Sequence, residues 1–174
     1  MTRFRLASPP EPPLAALWDA IVALARDPGW YTRHAVPDTL DGRFDMVALV
    51  AVLVLLRLEA LDLRHEAALL TERFVEDMDG SLREIGVGDM VVGKHVGRMV
   101  GALGGRLGAY RAALAEGEPE GLLAEALARN VYRKTAEQLG EGGTPRLAAL
   151  ARDVRALHAR IMAAEPSALL EGRL

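Results

Sequence analysis

The side chains able to do chemistry are few in this sequence, and their spacing withholds the partners that such chemistry needs. Serine occurs only at positions 8, 81 and 167, and no Gly-x-Ser-x-Gly elbow surrounds any of them, which argues against a serine hydrolase. His65-Glu66 opens as a zinc-binding helix would, but the position one turn on that must supply the second histidine is Leu69. Gly86-Val87-Gly88 begins like a dinucleotide-binding loop, yet Val91 stands where the third glycine is needed and helical sequence, not a strand, precedes it. His34, His95 and His158 have no second histidine at ligand spacing and read as surface or internally satisfied residues. Cysteine is absent, which removes thiolate nucleophiles, disulfides and cysteine-based metal sites.

One cluster is harder to set aside. Glu76, Asp77, Asp79, Glu84 and Asp89 lie close together in sequence, and grouped carboxylates can share a proton or hold a divalent cation. Two of them have a simpler use. Ser81 followed by Glu84 has the spacing of a capping box, in which the hydroxyl and the carboxylate each satisfy an amide at a helix start. Asp89 is placed to cap the helix that follows it. The cluster therefore reads as caps, ion pairs or a recognition edge, and the expectation is a protein with no catalytic set, no metal and no cofactor.

The elements that position these residues are helical. The chain has 174 residues, enough for one core, with 51% hydrophobic and 26% charged residues in an Ala-, Leu-, Arg- and Glu-rich mixture that favours helices. A net charge of −3 provides no overall field for a nucleic-acid backbone, so DNA is not an expected partner. Residues 1–12 are rich in proline and lack the apolar segment of a secretory signal, so they are expected to be disordered and the protein to remain in the cytoplasm. The longest apolar run, Met46 to Leu56, has eleven residues, whereas crossing a bilayer takes about 20.

A first helix is expected from Pro13, with Leu14, Leu17, Trp18, Ile21, Val22 and Ala25 on one face and Pro28-Gly29 as its stop. Trp30, Tyr31 and His34 form an aromatic corner, expected to make one helical turn, before the turn-rich stretch 36–42. The segment from Arg43 to about Leu63 is valine-rich, but its length and lack of alternation predict a helix that is apolar nearly all round. A helix over 64–79 buries Ala67, Leu70, Phe74 and Met78 and stops at Gly80, after which the Ser81 box starts a short new one. Further helices are expected over 90–115, from Pro119 to about Lys134, and from the Thr144-Pro145 start to about Pro166, with 166–174 frayed. The fold class is all-α: one domain over 13–165, of about six to seven helices around a central apolar one.

The helix over 90–115 is the most informative. At about 100° per residue, Gly93, Gly97, Gly101, Gly104, Gly105 and Gly108 fall within one sector of roughly 120°. Lys94, His95, Arg98 and Arg106 make a basic face beside an apolar one. Six helical glycines cost about 0.8–1.0 kcal/mol each relative to alanine, on the order of 5 kcal/mol together. Something must approach that bare backbone closely. The ordinary candidate is a neighbouring helix of the same domain, as small-xxx-small faces permit; the sharper one is a groove for a segment of another protein.

The block Glu76-Asp77-Met78-Asp79-Gly80-Ser81-Leu82-Arg83-Glu84-Ile85-Gly86-Val87-Gly88-Asp89, followed by Gly93-Lys94, resembles the signature of the ubiquinol–cytochrome c chaperone family. Trp30-Tyr31 and Asp45-Met46 are similar to that family too, so the likeness spans about residues 15–130. The resemblance implies a bacterial, non-enzymatic chaperone that receives newly made cytochrome b and supports assembly of the bc1 complex. It also implies a ribosome contact near the tunnel exit and a small helical partner. The residues expected to bind client or partner are Trp30, Tyr31, Asp77, Asp79, Arg83, Glu84, Asp89, Lys94 and Arg98. The basic face suits ribosomal RNA or anionic headgroups, and hence transient contact at the inner face of the plasma membrane, although a plainly solvated surface explains it equally. A carboxylate-based metal enzyme and a membrane-surface adaptor remain as alternatives.

Overall fold

The computed structural model describes residues 14–84 and 92–174, and gives the backbone alone for 81–84, 92–96 and 120. Pro13 and the N-terminal stretch before it lie outside the described residues. The architecture is all-α. The helices are α1 (Ala15–Ala25), α2 (Pro28–Arg33), α3 (Leu40–Ala60), α4 (Arg64–Glu84), α5 (Val92–Leu114), α6 (Glu120–Val131), α7 (Gly143–Ala163) and α8 (Pro166–Leu170), with a 3₁₀ turn at Glu137–Leu139. Among the described residues no helix is long and apolar enough to cross a membrane.

α3 is the axis of the domain. Its start is fixed by Thr39, whose hydroxyl accepts from the Gly42 amide at 3.1 Å. The 36–42 stretch lies so close over this start that a methyl group on Gly42 would run into the Pro37 carbonyl. Every residue from Met46 to Leu56 is buried, because α1, α4, α5, α6 and α7 all pack against α3. A helix that is apolar on all sides needs such a shell, and this explains an eleven-residue run that is too short for a bilayer.

The start of the chain corrects one boundary. Pro28-Gly29 does not stop α1, which ends at Ala25 with Arg26 as its C-cap; it begins α2, with Pro28 in the first turn and Asp27 accepting from the Gly29 amide at 2.6 Å. The turn at 30–33 is helical, as its spacing predicts.

The expected stop at Gly80 is absent: α4 runs through Gly80 and Ser81 to Glu84. Gly80 is exposed, and nothing lies near its missing side chain, so it costs the helix about 1 kcal/mol without forcing a turn. Ser81 and Glu84 thus belong to the last turn of α4 and do not open a new helix. Asp89, the expected cap of α5, lies outside the described residues. A reciprocal cap does form at Thr135 and Gln138, where each backbone amide donates to the other's side chain, at 2.9 and 3.2 Å.

The C-terminal end also differs. α7 starts at Gly143, one residue before the expected Thr144 cap, and a methyl there would strike Leu139. The residues expected to fray instead form α8, which packs on α1 and buries Leu169 completely. Gly172, at φ +77°, lies against the Ala16 carbonyl where no side chain would fit. Arg57 of α3 donates to the Ala164 carbonyl at the end of α7 at 2.9 Å, tying this corner to the axis.

Candidate client-binding surface

α5 is anchored to the core by Met99, Leu103, Tyr110 and Ala113, all buried. On the opposite side Gly97, Gly101, Gly104, Gly105 and Gly108 are exposed, and a methyl added to any of them would meet no atom of the described residues within 4 Å. Among the described residues no neighbouring helix presses on this face, and the bulky side chains on the other side carry the packing. Gly93, the sixth glycine, falls among the residues given by backbone alone. Beside the bare strip Val100 is 43% exposed, one of three large apolar residues, with Leu40 and Leu122, that stand in solvent among the described residues.

The basic face of α5 is smaller than its sequence suggests. Arg106 turns inward, its side chain 11% exposed, and its Nη2 donates to Oδ1 of Asp45 at 2.6 Å. Asp45 is 1% exposed at the head of the apolar run of α3. Its Oδ2 also accepts from Nε of Arg133 at 2.9 Å, and Arg133 Nη1 reaches Asp41 at 2.7 Å. Burial holds the Asp45 carboxyl above its ordinary range, while the two guanidiniums pull it back down. Arg106 lies 5.6 Å from the Phe44 ring centre, and Phe44 packs on Phe74. Arg133 holds its position at φ 54°, just past α6, where the Lys134 amide bonds back to the Ala128 carbonyl at 3.1 Å. Sequence reading missed this network; its one local signal is a charged residue heading an otherwise unbroken apolar run.

The aromatic corner has a structural use. Trp30 Nε1 donates to the Leu24 carbonyl at 2.8 Å and the Tyr31 hydroxyl to that of Ala25 at 3.0 Å, so these two satisfy the last carbonyls of α1. Burial raises the Tyr31 phenol above its ordinary value. His34 is buried with Nε2 2.8 Å from Asp153 of α7, and its carbonyl accepts from the Tyr132 hydroxyl at 2.7 Å. Burial pushes Tyr132 up to about 12.

The remaining expected binding residues divide. Asp77 and Asp79 are half-buried on α4, and Arg98 is exposed on α5, which packs against α4. Arg83 and Glu84 in the last turn of α4 and Lys94 in the first of α5 are given by backbone alone. Trp30 and Tyr31 sit apart from these, against the end of α1. Of the acidic cluster, Glu76 lies 3.8 Å from Arg73, and among the described residues no three His, Asp or Glu side chains gather to hold a metal.

The class so defined is an all-α domain with a helical shell around α3 and a side-chain-free face on α5. The ubiquinol–cytochrome C chaperone profile matches residues 32–174. The chain is also similar to the crystal structure of the Cbp3 homolog from Brucella abortus, with a TM-score of 0.76 and 32% identity over 92% of this chain and 86% of that one. No curated protein matches it. The chain belongs to the ubiquinol–cytochrome c chaperone family; the family match begins at residue 32, just after Trp30-Tyr31 and later than the expected 15, and runs past the expected 130 through α7 and α8.

Proposed function

We propose that this protein is a non-enzymatic assembly chaperone that holds newly made cytochrome b while the bc1 complex is built, and that the client docks on the outer face of α5. The observation that carries the reading is the exposure of five helical glycines that no part of the described chain covers. They cost on the order of 4–5 kcal/mol relative to alanine, and packing among the described residues returns none of it. A backbone bare of side chains lets another helix approach closely, which is how small-xxx-small faces join apolar helices. An apolar membrane-protein helix waiting for its partners has the surface to use it.

In this reading the encounter takes place in the cytoplasm, near the ribosomal tunnel exit and the inner face of the plasma membrane, with a small helical protein as an additional partner. Trp30 and Tyr31 act by holding the α1–α2 corner, while Asp77, Asp79 and Arg98 edge the docking face; Arg83, Glu84, Asp89 and Lys94 are assigned to client or partner contact on the family signature alone. The adaptor alternative loses Arg106 to the core, and nothing specific favours the metal enzyme.

The test is twofold. Crosslinkers at positions 101 and 104 should capture nascent cytochrome b in translating cells, and deleting the gene should deplete b-type haem from the membranes. Membranes that keep normal b-type haem without the protein would remove cytochrome b as the client.

A further inference from the structure

Away from α5, the surface between α6 and α7 carries a shallow cleft lined by Gly121, Ala124, Ala148, Ala151, Arg152 and Arg155. Its floor is small and apolar, and its charge is one-sided. The charged side chains that line it are Arg152 and Arg155, both on α7; the one carboxylate of α7, Asp153, is engaged by His34 at 2.8 Å, and exposed Glu125 of α6 is not part of the lining. Arg155 gives one N–H to the Ala113 carbonyl at 3.3 Å, whereas exposed Arg152 has no hydrogen bond or ion pair among the described residues. The whole chain is at −3, so this positive strip is a local arrangement and not the overflow of a basic protein.

We propose that this cleft docks an acidic amphipathic helix of a partner protein, its apolar side chains on the alanine and glycine floor and a carboxylate on Arg152. The guanidinium suits that role because it binds a carboxylate through two parallel N–H groups. The small residues let the incoming helix come close. A nucleic-acid backbone would meet the cations but leave the apolar floor unused.

The probe is a fluorescein-labelled peptide of about 18 residues, long enough to form a helix, with leucines at helical spacing flanked by glutamates, and a twin in which lysines replace the glutamates. Full-length protein should bind the acidic peptide saturably in fluorescence anisotropy and ignore the basic one. R152E should weaken that binding about tenfold or more and begin to bind the lysine twin, as charge reversal across a docked pair requires. G121L, which fills the cleft, should abolish binding, and G101L on α5 should leave it unchanged. The proposal falls if R152E binds the acidic peptide like the parent or if G101L weakens it as much as G121L. It falls equally if polyuridylate or phosphatidylglycerol vesicles bind with the same dependence on Arg152.

Discussion

Replacing Arg106 with methionine keeps most of the aliphatic stem and removes the charge that faces Asp45. The carboxylate is 1% exposed and its bond to Arg106 is 2.6 Å, so removing the guanidinium leaves a buried oxygen without its short charged partner. Stripping one partner from a buried pair costs about 3–5 kcal/mol. Arg133 still holds the other oxygen at 2.9 Å but is itself half-exposed, which puts the expected loss near the lower end, about 3 kcal/mol. The control is Arg111→Met, which breaks the 2.6 Å pair with Glu59, whose partners are 52% and 43% exposed. That loss should stay below about 1 kcal/mol.

Both are read from urea unfolding followed by circular dichroism. The double variant Asp45→Leu with Arg106→Met removes the buried charges together, while Arg133 retains Asp41, and should recover most of the loss. Proton linkage adds a second signature. Burial already holds the Asp45 carboxyl above its ordinary value, and loss of Arg106 removes one of the charges that pull it down. The folded variant then binds a proton more readily than the unfolded chain, so its stability falls as pH rises through the window above the ordinary carboxylate range. Its deficit against the parent should shrink on acidification. If Arg106→Met costs no more than Arg111→Met, or the double variant is as unstable as the single, the buried-pair reasoning is wrong.

Other outcomes follow from the same structure. Gly105→Ala should stabilise the protein by up to about 1 kcal/mol in urea, since a methyl there meets nothing, while weakening capture of the client helix. Gly42→Ala should destabilise by about 1–3 kcal/mol or prevent folding, because the methyl and the Pro37 carbonyl claim the same space. His158 is held below its ordinary value first by burial and then by Arg155, so the unfolded chain takes up its proton more readily and stability drops as pH falls from about 6.5; His158→Gln should flatten that part of a Tm–pH curve. Tyr132→Phe loses the bond to the His34 carbonyl and should cost about 1 kcal/mol; the parent phenol, at about 12, should lose stabilising effect only as pH rises past the ordinary tyrosine value, and tyrosinate absorbance reads this directly.

What the sequence determined by itself were the properties carried by neighbours along the chain. The apolar run 46–56 could form only a helix enclosed by others, and α3 is that helix. The signature from Glu76 to Asp89 identified the family, and the spacing of the glycines put them on one side of α5. Which way that side faces was not legible, because a helix's period groups residues into sectors without saying which sector meets the core. Packing of Met99, Leu103 and Tyr110 decided it and turned the glycines outward. Arg106 looked like a surface cation for the same reason; its partner Asp45 is 61 positions away in sequence. Trp30 and Tyr31 became caps for α1 only once the chain had folded back on it. At Gly80 and Ser81 the local stop signal did not end α4, which is held in the core upstream by Leu70, Phe74 and Met78 and runs on to Glu84. A local preference of about 1 kcal/mol yields when tertiary burial of several large side chains opposes it, at about 1.5–3 kcal/mol each.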